Sequence, residues 1–247
     1  MPVDTTAAVG GQLEVDVDPG RVWRVGYPPV PWAWTPWEYA GPDGRFGGRW
    51  DDSVGEFRTI YAGQSLLGCL LEVLAVFRPD PELAEALSLV QEDPADAVDH
   101  PTPPPGRLPR SWLTSRTATS AELAGVYAAV TRPKSLATLR ARFGSLAARA
   151  GLADLDAAAL KLPTTRGLTQ AVARWLYDLP SSPGSRPVSG VRFDSRHGDG
   201  LALWAVFEQP GDPPVSPQIS ATADHRLDHQ GGALAAAFAL HRLARAD

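Results

Sequence analysis

One carboxylate raises the first chemical question. The stretch Ser65-Leu-Leu-Gly-Cys-Leu-Leu-Glu-Val-Leu-Ala-Val-Phe77 reads as an N-cap followed by a helix that is apolar on every side, and Glu72 is its only charged residue. Desolvation penalises a carboxylate in such a helix unless a cation or several donors meet it. A structural ion pair with a core arginine, or a side chain that escapes to the helix edge, meets that need as well as a reaction centre does. Three other residues could converge on it: Arg24 in the short β-like run Val22-Trp23-Arg24-Val25, Arg49 in the glycine-rich loop Gly41 to Trp50, and Tyr61 near the end of the strand Arg58 to Ala62. Tyr61-Ala-Gly-Gln-Ser65 joins that strand directly to the Glu72 helix, so proximity of Tyr61 to the helix is built into the chain. A guanidinium offers a bidentate fork for a phosphate, and loop glycines let backbone approach such a group. A solvated arginine and a core tyrosine are the plain alternatives.

Other constellations say less. Gly41 to Gly48 spells neither a dinucleotide fingerprint nor a Walker loop. Gly63-Gln-Ser-Leu-Leu-Gly68 approaches a hydrolase nucleophile elbow, with His197 or His225 as the base it would need, but its second glycine arrives one residue late and Ser65 reads better as a helix cap. His225 and His229, beside Asp224 and Asp228, have the spacing of two imidazoles on one helical face, yet no third ligand is evident and a polar turn before the last helix accounts for them. No metal is expected. Cys69 reads as a small core residue.

The elements that must position these residues alternate in kind. Residues 1–20 mix small and acidic types without periodicity and are expected to form a flexible tail or a loosely attached strand, with a single domain over 21–247. Pro79 to Leu89 reads as a short helix and Glu92 to Pro109 as an exposed proline-rich connection, while Ser120 to Leu162 is expected to give two or three amphipathic helices, so that 78–163 forms a helical insertion. Leu168 to Tyr177 is a further helix. Gly190 to Ser195 and Leu201 to Phe207 are strands joined through Gly198-Asp-Gly200 as a hairpin, and Gly231 to Ala244 is a closing helix.

Bulk properties limit the partners. The 247 residues are long enough for a sizeable core, and a net charge of −5 provides no basic field for a phosphate backbone, so direct nucleic-acid binding is not expected. Cys69, the one cysteine, can form no internal disulfide; with no basic-then-apolar leader and no long uncharged apolar run, the cytoplasm is the default location and no membrane is expected.

Taken together, several stretches resemble the RES domain, a family named for an Arg, a Glu and a Ser. Trp23-Arg24 resembles its first arginine strand, Gly44-Arg-Phe-Gly-Gly-Arg-Trp50 its glycine-arginine loop, and Ile60 to Leu74 its tyrosine strand and glutamate helix. Leu168 to Tyr177 and Gly190-Val-Arg-Phe-Asp-Ser195 resemble the last helix and the serine strand. Val25 stands where many members carry an aromatic residue, although Tyr27 is close. The resemblance implies an α+β fold like that of ADP-ribosyltransferases, with small mixed sheets, and NAD as a substrate held in a cleft between them. It also implies the toxin of a toxin–antitoxin pair that cleaves the nicotinamide–ribose bond by hydrolysis or phosphorolysis, or transfers ADP-ribose to a protein, with an Xre-like antitoxin as partner; a homodimer stays open. The roles it implies are catalytic for Arg24, Glu72 and Ser195, with Arg24, Arg49 and Tyr61 binding NAD. A non-catalytic NAD or nucleotide-binding module is the rival from another class.

Overall fold

The computed structural model describes residues 13–80, 82, 85, 86, 89, 106–180, 188–227 and 231–246. In chain order the strands are β1 (Val15–Val17), β2 (Gly20–Gly26), β3 (Thr59–Gly63), β4 (Arg107–Leu108), β5 (Thr117–Leu123), β6 (Val126–Ala129), β7 (Gly190–Asp194), β8 (Ala202–Phe207), β9 (Ile219–Arg226) and β10 (Ala244–Arg245). Helices α1 (Leu66–Leu74), α2 (Arg110–Thr114), α3 (Pro133–Arg149), α4 (Arg166–Tyr177) and α5 (Gly231–His241) pack around them. The class is α+β, as the sequence leads one to expect.

Eight strands make one mixed sheet in the order β1-β6-β7-β8-β3-β2-β5-β9, and β10 pairs with β4 apart from it. The only parallel neighbours in the large sheet are β6 and β7. A parallel pair needs a crossover, and the chain supplies one that contains α3 and α4. These helices cover one face through Leu139, Val172 and Leu176, against Val191, Ala205 and Phe207. Trp32 and Trp34 cover the other through Val22, Ile60, Tyr127 and Val206. A third cluster ties α1 to α2 and α5 through Leu70, Leu74, Trp112, Leu113, Leu234 and Ala237.

The feature that makes a site is a split in this sheet. β2 and β3 share a single rung, Trp23 opposite Gly63, whereas β2 runs its full length beside β5 and β3 its full length beside β8. Beyond that rung the strands part. Two half-sheets therefore meet at one point and leave a cleft, and α1 leaves β3 beside it.

Two expectations are corrected. Residues 13–20 are built into the fold: Leu13 is buried, and β1 pairs with β6 through Val15, Asp16 and Val17. The alternating Leu13, Val15 and Val17 lie within a run too short and too acidic to stand out as a strand. The helical reading of Ser120 to Leu162 holds only from Pro133 onward, where Pro133 opens α3 at a first-turn position that tolerates a missing N–H. Thr117 to Ala129 instead forms β5 and β6. Val126, Tyr127, Ala128 and Ala129 are all buried, so period-two alternation is absent, and the alanines that suggest helix are there to let neighbouring layers approach. The segment 78–163 is thus a mixed region that contributes two strands to the main sheet. Of the expected helix Pro79 to Leu89, residues 81, 83, 84, 87 and 88 lie outside the described residues, while Glu82, Glu85 and Ala86 are helical; residues 92–105 of the expected connection also lie outside them. The closing helix ends at His241, ahead of β10. No helix among the described residues is long and apolar enough to cross a membrane.

Candidate active site

Ser65 caps α1: its hydroxyl accepts the Gly68 N–H at 3.1 Å. A cap of this kind contributes about 1 kcal/mol, and it is the contact that α1 makes of the serine once weighed as a nucleophile. Leu66, Leu70, Leu71 and Leu74 are buried. Cys69, Glu72 and Val73, which share a face at helical spacing, line the cleft instead. Glu72 therefore escapes the deep core by looking into a cavity of about 390 Å³ between the half-sheets.

Arg24, Arg49, Tyr61 and Glu72 all line that cavity, so four of the five residues singled out from the sequence are brought together. Arg24 follows the single rung. Its guanidinium spans the gap that opens there, donating to the Tyr61 carbonyl at 3.0 Å and the Pro31 carbonyl at 2.9 Å. Burial pushes its pKa down to about 10, which leaves it charged at neutral pH. Arg49 donates through Nη2 to the Lys161 carbonyl at 3.2 Å, while its Nη1 is buried and without a hydrogen-bond partner. Burial lowers the Arg49 pKa and the nearby Glu72 charge opposes that shift. A buried guanidinium proton without an acceptor carries a desolvation cost that a ligand oxygen would relieve.

The glycine loop is held from two sides. Asp51 accepts the Tyr61 hydroxyl at 2.8 Å and the Gly48 N–H, and the same hydroxyl accepts the Trp50 N–H at 2.9 Å. A Cβ on Gly48 would stand 2.4 Å from an Asp51 oxygen and 2.6 Å from the Tyr61 hydroxyl, so only glycine fits. Burial raises the pKa of both Asp51 and Tyr61. From α4, Gln170 donates to the Gly48 carbonyl at 3.1 Å and Arg166 to the Gly47 carbonyl at 2.7 Å. The hydroxyl of Tyr61 is thus committed to the loop, and its ring is what the cavity meets.

Ser195 sits just beyond β7 and does not line the cavity. It is buried, its hydroxyl donates to Glu72 Oε1 at 2.6 Å and accepts the His197 N–H at 2.9 Å. It positions the carboxylate by fixing one oxygen. His197 Nε2 stands 3.8 Å from the other, Oε2. Burial, with the charges of Arg78 and Arg196, pushes the His197 pKa down to about 4 against the pull of Glu72.

Arg166, Arg196 and Phe193 also line the cavity and were not singled out. Each had a signal: Arg166 opens the α4 helix, while Phe193 and Arg196 flank Ser195 within three residues. The cavity thus carries four arginines against the single carboxylate of Glu72, beside the rings of Tyr61 and Phe193. Arg49 also lies over the Phe193 ring, 5.8 Å from its centroid. The arrangement suits an elongated ligand with a multiply charged anionic part and a flat ring. Of the expected histidine pair, His225 lies on β9 rather than on a helix, and His229 lies outside the described residues. No group of three or more potential metal ligands occurs among the described residues.

Comparison with known proteins finds a similarity in the same direction as the motifs. A model described as the RES domain matches residues 21–132, a span that includes Arg24, Arg49, Tyr61 and Glu72 and stops short of Ser195. The chain is similar there to RES-domain proteins. Among solved structures, a chain of the M. tuberculosis MbcT–MbcA toxin–antitoxin complex is similar at a TM-score of 0.40 and 15% identity, covering 87% of this chain and 89% of that one; a likeness so loose supports no conclusion on function. No curated protein matches the sequence.

Proposed function

We propose that the cleft binds NAD and cleaves its nicotinamide–ribose bond, and that the chain is the toxin of a toxin–antitoxin pair with an Xre-like protein as antitoxin. The observation that carries the chemistry is the lone Glu72 carboxylate that lines the cavity, one oxygen fixed by Ser195, set among four arginines. The toxin role and the partner rest on the resemblance to the RES domain.

Breaking that bond sends its electron pair out with a neutral nicotinamide and leaves positive charge on the ribose, so a carboxylate beside the sugar lowers the barrier. Glu72 holds the ribose hydroxyls and faces that charge. Arg24 and Arg49 grip the pyrophosphate, with the free Nη1 of Arg49 as one donor. Tyr61 and Phe193 offer rings against the nicotinamide. Ser195 keeps Glu72 in place, a positioning role rather than the direct contact with ribose or acceptor that the family likeness suggests. Water, phosphate or a protein side chain takes the ADP-ribose.

The test is nicotinamide release from NAD by purified protein, with and without orthophosphate, beside Glu72→Gln. Glu72→Gln is expected to bind NAD and lose turnover by about 100-fold or more, and dependence on phosphate identifies the acceptor. Undiminished turnover in Glu72→Gln overturns the assignment. Saturable NAD binding with no release in either buffer indicates a sensor or a protein-modifying enzyme.

A further inference from the structure

Behind the turn that carries Ser195 and His197 lies a second cavity of about 370 Å³. It shares no lining residue with the Glu72 cleft. Its polar wall is Arg78, His197, His241 and Arg242, its apolar wall includes Leu71 and Leu240, and among the described residues no carboxylate lines it.

The polar wall is one connected network. Arg78 donates through Nε to His241 Nδ1 at 2.9 Å and through Nη2 to His197 Nδ1, and His241 Nε2 meets the Leu71 carbonyl at 2.8 Å. A guanidinium can only donate, so His241 accepts at Nδ1 and carries its proton on Nε2, toward the Leu71 carbonyl, while His197 meets guanidinium groups at both ring nitrogens, Arg78 at Nδ1 and Arg196 Nε at Nε2 at 3.3 Å. Two imidazoles thus orient Arg78, and neither brings a negative charge to cancel its own.

Arg242 gives the independent observation. It follows α5 with φ of +55°, in the left-handed region. Its N–H bonds to the Ala239 carbonyl at 3.2 Å and the Leu243 N–H to the Phe238 carbonyl at 2.9 Å, which is the helix closure that glycine ordinarily supplies. An arginine adopts this conformation at a steric cost, and Arg242 lines the same cavity as Arg78. The wall therefore carries two guanidinium residues, Arg78 oriented by the histidines and Arg242 at a position where the backbone favours glycine.

We infer that this cavity is a second anion site, separate from the Glu72 cleft, which takes a phosphate dianion, either as free orthophosphate or on a small monoester whose body rests on Leu71 and Leu240. Two guanidinium charges match the dianion in charge and in donor geometry. The site stands on its own residues, whether or not the cleft turns over NAD.

Calorimetric titration of the full chain with orthophosphate and, separately, phenyl phosphate, without NAD, tests it in wild type, Arg24→Ala and Arg242→Gly. Phosphate affinity is expected to persist in Arg24→Ala and to fall about tenfold or more in Arg242→Gly. Arg242→Gly should at the same time melt at or above the wild-type temperature, because glycine suits the left-handed position, so a loss of binding there is not a loss of fold. Tighter binding of phenyl phosphate assigns the site to monoesters, and equal or tighter orthophosphate assigns it to the free ion. Unchanged affinity in Arg242→Gly, loss of all binding in Arg24→Ala, or no binding in the wild type at millimolar phosphate overturns the inference.

Discussion

Two sets of arginines in this chain treat charge in opposite ways. On the flanks of the sheet, three are met by acids: Arg58 forms a two-pronged pair with Glu208, Arg174 is shared among Asp52, Glu56 and Asp178, and Arg192 pairs with Asp194 at 3.0 Å. In the cleft, Arg24, Arg49 and Arg166 spend their hydrogen bonds on backbone carbonyls of Pro31, Tyr61, Lys161 and Gly47. A carbonyl fixes the direction of a guanidinium and leaves its charge nearly intact; a carboxylate cancels it. The flank arginines hold the fold, and the cleft arginines hold a field open for a ligand.

The comparison breaks most readily at Asp52. Its two oxygens accept the N–H groups of Val54, Glu56 and Phe57, and Oδ2 also accepts from Arg174 at 3.4 Å. One buried carboxylate thus closes the loop after the glycine run and ties it to α4. Removing it strands three donors and a cation together, so Asp52→Ala should lower the unfolding free energy by about 3 kcal/mol in urea titration. A loss within experimental error would show that the acids on the flank are ornamental and that the contrast with the cleft is false.

A paired substitution sharpens it. Arg58→Leu leaves Glu208 half-buried without its partner and should cost about 1–2 kcal/mol of stability while NAD affinity stays near wild type. Arg49→Leu removes a guanidinium whose Nη1 has no partner; stability should hold or rise, and NAD affinity should fall about tenfold. Calorimetric binding and thermal melting of both variants read the two effects. The opposite pattern, with Arg49→Leu unstable and still binding, would make Arg49 a structural residue.

How much of this was legible in the sequence follows from range. Glu72 and Tyr61 could be placed together because strand, turn and helix are contiguous, and the Ser65 cap and the β7–β8 hairpin are local for the same reason. Arg24 and Arg49 needed the motif order as well, since nothing in Val22 to Val25 says that β2 and β3 part after one rung. Arg166 and Arg196 reach the cleft only through the crossover and the Ser195 turn, which no local period reveals. Ser195 was found by its motif, but not its burial against Glu72, because a serine at the end of a strand looks alike whether it faces a ligand or a carboxylate. β5 and β6 were misread where alanine-rich strands buried on both faces lose the alternation that marks a strand.

The smallest effect concerns His197, the neutral imidazole between Glu72, Arg78, Arg196 and His241. Burial first, then the charges of the arginines, hold its folded pKa at about 4 against an ordinary value of 6.5, while Glu72 pulls the other way. Between these values the unfolded chain binds a proton that the folded chain refuses, so stability from this group is complete above pH 6.5 and is lost as pH falls toward 4. His241, also pushed down by burial, adds to the same trend. Gln keeps an acceptor for Arg78 but cannot titrate, so His197→Gln should flatten the fall in stability over pH 6.5 to 4 by on the order of 1 kcal/mol, reduced from the full linkage by solvent screening. Chemical denaturation of both proteins across that range measures it. If the two curves run parallel, His197 takes a proton in the folded state as easily as in the unfolded one, the positive field of the cleft is compensated, and the contrast between its arginines and those of the flanks is weaker than their hydrogen bonds suggest.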